Sequence, residues 1–477
     1  MIHLHTYKQH IMYKKNLHIH FVGIGGIGMS GIATILKHQG YTISGCDPDI
    51  KQDTIAPLEK IGCRIYHSNN SPECDDTTID ILVYIPMYAT TIPAITAEIE
   101  RAQSRGIITI SRAGMLAELM RSKYSIAISG SHGKTTTTSL ISQILIEAQT
   151  DPTVVIGGQL KNINSNIRVG NGNFLVAEAD ESDRSFLQLF PTLAIVTNID
   201  LEHLETYKDL DDIKQAFMQF MNNLAFYGKA IICIDDENIR SLPIAHIKTI
   251  SYAIEHEADF YARDIVLNAD HSLFTVYTKN KNAPLGNIIL PLPGKHNVYN
   301  CLAAIALAHE LEIPFESIAP AIETFGGVER RFSFRGLYKG AEVFDDYGHH
   351  PKEIENTLLV ARKRTKNKLI VVFQPHRYTR TQKLWTQFLE TFYTSIIDTL
   401  IITDIHSAGE QPIDTITSET LTQHIQSLNP PFAVHYIPST NDFAHVKEAI
   451  ERSIQSNDLI LFLGAGKVYH IAKDIVQ

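Results

Sequence analysis

Short apolar runs recur along the chain, most of them closing on glycine, asparagine or an acidic residue. Between them lie longer stretches whose apolar positions repeat every three to four residues. This pattern predicts β-strands alternating with helices, and hence parallel sheets covered by helices. The runs read as strands are "LHIHFVG", "YTISGCD", "IDILVYI", "YSIAISG", "NFLVAEAD", "LAIVTNID", "KLIVVFQP", "TLIITDIH" and "LILFLGAG". They fall into three α/β series. "HIHFVGIGGIGMSGIA" opens the first, and "YSIAISGSHGKTTTTSL" the second. The turn-rich, arginine-bearing "GGVERRFSFRGLYKGAEVFDDYGHHP" leads into the third. Boundaries near Arg121 and Phe334 divide the chain into an extension (1–16) and domains at 17–121, 122–334 and 335–477.

Composition narrows the class without changing the fold. A chain of 477 residues needs more than one core, and 44% apolar with 20% charged residues is globular, neither disordered nor fibrous. A formal charge of −10 and the absence of a Lys/Arg block argue against a nucleic-acid surface. No apolar run approaches the ~18 residues of a membrane span. The five cysteines are scattered without a C-x-x-C pair, which suits free, mostly core thiols in a reducing, cytoplasmic setting. The opening "MIHLHTYKQHIMYKKN" has no signal-peptide centre, and Met12 is an alternative start.

Two glycine-rich turns carry the chemistry. Gly23, Gly25 and Gly28 read as G-x-G-x-x-G at a strand-to-helix turn, where backbone amides can face a diphosphate. Asp47, 19 residues after Gly28, suits a dinucleotide ribose, so a redox cofactor and a nucleotide-sugar substrate both fit the turn. The second turn, Gly130-Ser131-His132-Gly133-Lys134-Thr135, also lies between a strand and a helix. Its amides can wrap phosphate oxygens, Lys134 can reach β- and γ-phosphates, and the Thr135 hydroxyl can ligate Mg²⁺. Ile128 stands where the longer form of this loop has its first glycine. Two acidic strand ends follow, "EADESD" with Glu178, Asp180, Glu181 and Asp183, and "NIDLEH" with Asp200, Glu202 and His203. A hard carboxylate from this set is expected on the metal, while the others serve as caps or solvated loop charges.

Eight segments in order resemble the Mur ligases: "GIGGIGMSGIA", "GSHGKTTTT", "EADESD", "PGKHNVYNCLAAIALA", "GGVERRF", "DDYGHHPKEI", "QPHRYTRT" and "SAGEQPI". They span about His18 to the C-terminus. The resemblance implies a three-domain architecture: a Rossmann-like N-terminal domain, a central P-loop ATPase-like domain and a C-terminal Rossmann-like α/β domain. It also implies ATP-dependent ligation of L-alanine to the lactyl carboxylate of UDP-N-acetylmuramate through an acyl phosphate, with Mg²⁺ or Mn²⁺. The expected products are UDP-N-acetylmuramoyl-L-alanine, ADP and phosphate, made by a monomer or homodimer with no nucleic-acid or membrane partner.

By the same resemblance, Gly25, Gly26, Ile27, Gly28, Met29 and Ser30 bind the UDP-sugar diphosphate, with Asp47 and His67 on the uridine side. A side chain at Gly26 is expected to block that approach and to strain any positive φ there. ATP falls to Gly130, Ser131, His132, Gly133, Lys134, Thr135 and Thr136. On its adenine side stand His296, Asn297 and Asn300, with Arg331 and Asp346 from the third series. Thr135, Glu178 and His203 form the metal shell, with Lys134, Glu178 and His203 catalytic. His349, Arg377 and Arg380 receive alanine. Taken alone, "HNVYNCLAAIALA" is an amphipathic helix with a polar first turn, the two arginines suit surface ion pairs, and "FLGAGKVYHIA" is a structural turn. The chain departs from the family at "YIPMYATTIP" (Tyr84–Pro93, with Pro86 among usually small polar residues). Gly114 replaces a usual glutamate, Arg184 a usual glycine and His406 a usual tyrosine. An active enzyme with altered substrate-side packing is expected. The alternatives are a murein-peptide recycling ligase on the same fold and, in a different class, an NAD-dependent dehydrogenase that would leave "GKTTTT" unexplained.

Overall fold

All nine runs read as strands are strands in the computed structural model, which describes residues 16–67, 74, 76–160, 165–279 and 283–476. Met12 and nearly all of the extension lie outside the described residues. The chain divides into two compact units. One holds residues up to Asp200 with Leu210–Tyr261 and Leu302–Ala321. The other holds Leu201–Asp209, Ala262–Cys301 and the chain from Ile322 onward.

The first unit contains two sheets. The N-terminal sheet runs β1 (His18–Val22), β2 (Thr42–Asp47), β3 (Arg64–His67), β4 (Ile81–Tyr84) and β5 (Ile108–Ser111), in spatial order β3-β2-β1-β4-β5. Every pairing is parallel. β1 is buried on both faces, as a central strand under helices must be. The order reverses beside β1, and the turn after β1 sits at that switch point, where open α/β sheets gather ligands.

The central sheet is built from β6 (Tyr124–Ser129), β7 (Thr153–Leu160), β8 (Ser165–Arg168), β9 (Phe174–Glu178), β10 (Leu193–Val196), β11 (Lys229–Cys233) and β12 (Thr249–Ala253). Their order is β12-β11-β10-β6-β9-β7-β8, with only β8 antiparallel to its neighbour. The two sequence-read phosphate and acid sites thus stand at the ends of adjacent strands β6, β9 and β10. Helix Lys134–Glu147 is almost entirely buried against this sheet despite four threonines. β13 (Phe260–Leu267) starts in this unit, pairing through Phe260 and Tyr261 with β12.

In the second unit, β14 (Ser272–Thr278) and β15 (Gly286–Leu290) form an antiparallel pair. A further sheet follows: β16 (Ser333–Tyr338), β17 (Ala341–Asp346), β18 (Leu369–Phe373), β19 (Thr399–Ile402), β20 (Ala433–Tyr436) and β21 (Leu459–Leu463). Their order is β16-β17-β21-β18-β19-β20, parallel except for β16. Phe373, Phe388 and Phe392 pack one face of it, and Val446, Ile450 and Ile471 the other. All five cysteines are buried thiols outside any disulfide. No helix among the described residues is long and apolar enough to cross a membrane.

Candidate active site

The turn after β1 is held open by its neighbour strand. Gly23, at φ +77°, and Ile24 both donate to Cys46 O, at 2.8 and 3.0 Å. Buried Asp47 accepts from Gly25 N at 2.9 Å and from Gln52 Nε2 at 2.9 Å. Asp47 therefore shapes the loop directly. His67 is its register partner at the end of β3. Helix Ile27–His38 has Gly26 as N-cap with no side-chain cap, so its first-turn amides at Ile27, Gly28 and Met29 face outward from the helix end. Ser30 Oγ donates back to Ile27 O at 3.0 Å.

Gly26 has no positive φ for a side chain to strain. Gly26 has φ −60°, and a Cβ on it would meet nothing nearer than Gly23 O at 3.6 Å. The tight position is Gly25, where a Cβ would come within 2.9 Å of the Asp47 carboxylate. Sequence reasoning also missed Arg112. It opens helix Arg112–Arg121, and a Cβ on Gly28 would lie 3.1 Å from its guanidinium. The signal was present in "SRAG", an N-cap serine followed by a cation at a strand end; Ser111 Oγ accepts from Gly114 N at 3.0 Å.

The second loop is pinned from the end of β10. Thr197 Oγ1 and Asn198 Nδ2 donate to His132 O at 2.6 and 2.9 Å, and His132 N donates to Asn198 Oδ1 at 2.9 Å. Ser131 Oγ accepts from Asp200 N at 2.8 Å, and His132 Nε2 lies 3.3 Å from Asp200 Oδ2. Gly130 is at φ +132°, and a Cβ on it would strike Thr197 Oγ1 at 2.0 Å. Gly133, the N-cap of the following helix, is at φ +85°. The Ser131 and His132 amides are thus spent on Asn198, and the part of the loop suited to an anion is the N-terminus of the following helix, capped by Gly133. Lys134 Nζ donates to Gly130 O and to the buried Glu181 carboxylate, each at 2.7 Å. Thr135 and Thr136 follow in the first turn.

Glu178 closes β9, and a Cβ built on Gly157 would come within 2.6 Å of its carboxylate. That glycine keeps a space beside the carboxylate which any side chain would fill. Hard oxygens of Glu178 and Thr135 fit a Mg²⁺-class ion, whereas an imidazole such as His203 suits a softer one. Two of the neighbouring acids serve locally, since Asp180 Oδ1 accepts from Ser182 N and Asp183 Oδ1 from Ser185 N. Arg184 sits at φ +60°, so the position suits the family's usual glycine; its guanidinium is anchored on Asp212 at 2.5 Å.

In the second unit His203 is held at φ +53°, with its ring 3.8 Å from Glu202 and 3.6 Å from Glu205. Buried Glu202 also lies 4.0 Å from His350. Arg377, at φ +69°, pairs with Glu205 at 3.4 Å, and Arg380 Nη1 lies 3.2 Å from His376 Nδ1. Non-glycine residues in this conformation cost about 1–2 kcal/mol each and collect at functional sites. The rings of His349 and His376 are 5.7 Å apart, and His376 stacks on His406 at 5.4 Å. Burial, then the charge of neighbouring His349 and Arg380, holds His376 down at about 2. Burial holds His349 at about 4, so both rings are neutral near pH 7.

Asp346 accepts from Phe332 N and Gly348 N, each at 2.7 Å, and burial lifts its carboxyl to about 6. Arg331 lies 3.5 Å from Glu353, while Arg330 is sandwiched between Tyr347 and Tyr469 and donates to Gly464 O at 2.7 Å. Burial and then Arg331 hold His296 at about 4. Asn297 donates to Pro293 O at 2.8 Å, and Asn300 to Asn297 Oδ1 at 3.2 Å. The last strand turn, at Gly464, is spent on Arg330 and on Asp346 O.

A glycine turn at a sheet's switch point and a second glycine turn carrying a lysine beside strand-end carboxylates are features of nucleotide-handling α/β proteins. Three family models cover the chain in order: the Mur ligase family catalytic domain at 18–124, the Mur ligase middle domain at 128–308 and the Mur ligase glutamate ligase domain at 330–466. The chain belongs to the Mur ligase family and has its three-domain architecture. It is 45% identical over 468 residues to UDP-N-acetylmuramate–L-alanine ligase of Syntrophotalea carbinolica, covering 98% of this chain and 99% of that one. The enzyme of the same name from Syntrophus aciditrophicus is 44% identical over 469 residues, covering 98% and 94%. The crystal structure of UDP-N-acetylmuramate–alanine ligase from Thermotoga maritima superimposes with a TM-score of 0.78 at 27% identity, covering 97% and 98%. A murein peptide ligase from Psychrobacter arcticus shares the fold, with a TM-score of 0.71 at 23% identity over 97% and 99% of the two chains.

Proposed function

We propose that this chain is an ATP-dependent acid–amino-acid ligase joining L-alanine to the lactyl carboxylate of UDP-N-acetylmuramate in peptidoglycan precursor synthesis. The observation that carries the reading is near-full-length identity of 44–45% to ligases whose names specify those two substrates. In the reaction, the lactyl carboxylate attacks the γ-phosphorus of ATP and ADP leaves. The alanine amine then attacks the acyl phosphate, and the tetrahedral adduct expels phosphate. Little covalent chemistry falls to the protein, so its work is positioning and charge neutralisation.

Gly130–Thr136 cradle the ATP phosphates, with Lys134 exchanging Glu181 for the γ-phosphate. His296, Asn297, Asn300, Arg331 and Asp346 serve the nucleotide from the rest of the chain. Gly25–Ser30 take the UDP-sugar diphosphate through first-turn amides, Asp47 and His67 the uridine side, and Arg112 adds a cation to that loop. Thr135, Glu178 and His203 hold Mg²⁺ or Mn²⁺, which neutralises charge on the transferred phosphoryl group. His349, held neutral, accepts a hydrogen bond from the alanine ammonium, and Arg377 and Arg380 take its carboxylate. Divisions near Arg121 and Phe334 separate these three tasks, in a cytoplasmic monomer or homodimer.

The test is phosphate release with UDP-N-acetylmuramate, ATP, Mg²⁺ and each of L-alanine, L-serine, glycine and a murein tripeptide. L-alanine is expected to give the highest kcat/KM. Release that requires the tripeptide would transfer the chain to the recycling ligases, and NAD binding in place of ATP would end the ligase reading.

A further inference from the structure

Next to the turn after β1, whose Gly23 and Ile24 amides donate to Cys46 O, the N-terminal sheet encloses a polar cluster that none of the proposed chemistry uses. His20 on β1, Cys46 on β2, Cys74 beyond β3 and Glu98 on helix Pro93–Ser104 are all buried. One ligand atom from each lies within 4.8 Å of the other three. We propose that these four side chains form a structural site for a divalent, thiophilic transition metal, with Zn²⁺ the expected ion.

The argument rests first on geometry. Tetrahedral Zn²⁺ holds sulfur at about 2.3 Å and nitrogen or oxygen at about 2.0–2.2 Å, so a sulfur–oxygen edge spans about 3.6 Å and a nitrogen–oxygen edge about 3.4 Å. Cys46 Sγ lies 3.6 Å from each Glu98 oxygen, and His20 Nε2 lies 3.2 Å from Glu98 Oε1. The edges from Glu98 to Cys46 and to His20 already have the spacing of a coordination tetrahedron, and Cys74 lies within 4.8 Å of the other donors. Two thiolates, an imidazole and a carboxylate suit Zn²⁺ and discriminate against Mg²⁺.

The surroundings are those of a built metal site. His20 Nδ1 lies 2.8 Å from Ser44 Oγ, which fixes the ring and directs Nε2 at the cluster. From Ser44 a hydrogen-bond chain runs through His18 and Thr78 to Asp76 at the surface, a route for displaced protons. Val22, Leu82, Ile95 and Ile99 wall the cluster in apolar packing, where ionisable groups are costly to bury. Binding of M²⁺ displaces the protons held by the donor atoms to solvent, leaving M–S, M–N and M–O bonds with no change of oxidation state. Two of the ligands come from neighbouring strands of one sheet, one from beyond β3 and one from a covering helix, so the ion would fasten strands β1 and β2 to that helix. They are spread along the chain at positions 20, 46, 74 and 98, so no local motif betrays them.

The full chain, stripped with a chelator under reducing conditions, is titrated with Zn²⁺ alone against a chromophoric competitor, and in parallel with Co²⁺. One equivalent per chain is expected. Co²⁺ should give intense tetrahedral visible bands and a thiolate charge-transfer band, a signature the histidines of the N-terminal extension cannot produce. Zn²⁺ should also protect Cys46 and Cys74 from alkylation. Cys46→Ser/Cys74→Ser should lose the equivalent and the charge-transfer band. Ser44→Ala, which keeps all four ligands, should weaken Zn²⁺ binding by about 10–100-fold. The proposal is overturned if the wild-type chain shows no thiolate charge-transfer band with Co²⁺, if its two thiols alkylate equally with and without Zn²⁺, or if the double serine variant binds Zn²⁺ as the wild type does.

Discussion

Lys134 is the sharpest place to test the phosphate loop, because its structural and chemical roles make different demands. Its ammonium lies 2.7 Å from the Glu181 carboxylate, with side-chain exposures of 18% and 2%. Lys134→Ala removes the cation and strands a buried carboxylate. Breaking such a pair costs about 3–5 kcal/mol, and the partly wet lysine head puts the value at about 3 kcal/mol. For a body of this size that is roughly 6–12 °C in Tm. Lys134→Met/Glu181→Gln removes both charges and should recover most of that loss, since neither partner is left buried and unpaired. Turnover should not follow stability. With no cation to meet the γ-phosphate, both variants should lose at least ~10³ in kcat, about 4 kcal/mol at 1.36 kcal/mol per decade. The assays are phosphate release with UDP-N-acetylmuramate, L-alanine, ATP and Mg²⁺, and thermal unfolding of the same preparations. Turnover that returns with stability in the double variant would make Lys134 a purely structural cation. Near-normal release by the folded single variant would remove ATP from this loop.

Glu178→Gln keeps the shape of the side chain but not its charge, so the apparent Mg²⁺ requirement should rise at least about tenfold, the scale of losing even an outer partner of a metal site. An unchanged Mg²⁺ titration would take the metal role away from Glu178. Because Gly26 has φ −60° and open space around its Cβ direction, Gly26→Ala should leave Tm unchanged while lowering UDP-N-acetylmuramate affinity about tenfold, or 1.4 kcal/mol, with ATP affinity intact. A fall in both affinities would make the turn structural. Asp346 should give a pH signature. Its folded carboxyl titrates at about 6, raised by burial above an unfolded value of about 3.9. The folded state therefore holds the proton longer, and the stability it contributes below about pH 4 is lost as pH rises through 6, up to about 3 kcal/mol. Asp346→Asn should flatten that slope in urea midpoints taken between pH 4 and 8; an unchanged slope would assign the titration elsewhere.

What the sequence disclosed and what it concealed follow from distance along the chain. The parallel strands were readable because strands buried on both faces are continuous apolar runs. The antiparallel pair β14–β15 was not read, since one of its strands alternates buried and half-buried residues and offers a weaker pattern. Both phosphate turns were readable because a strand end, glycines and a helix start are all local. Their supports were not. Gly25 and Asp47 are 22 residues apart, and Lys134 and Glu181 are 47 apart. Only the strand orders bring those pairs together. Arg184 shows how far a local rule can be trusted. Its backbone at φ +60° explains why the family usually has glycine there, and the guanidinium on Asp212 is a compensation that no local pattern announces. A residue that breaks its family's backbone preference by about 1–2 kcal/mol needs a partner in the folded chain. Arg184 has one, the Asp212 carboxylate, so the folded chain compensates the strain that glycine would have avoided.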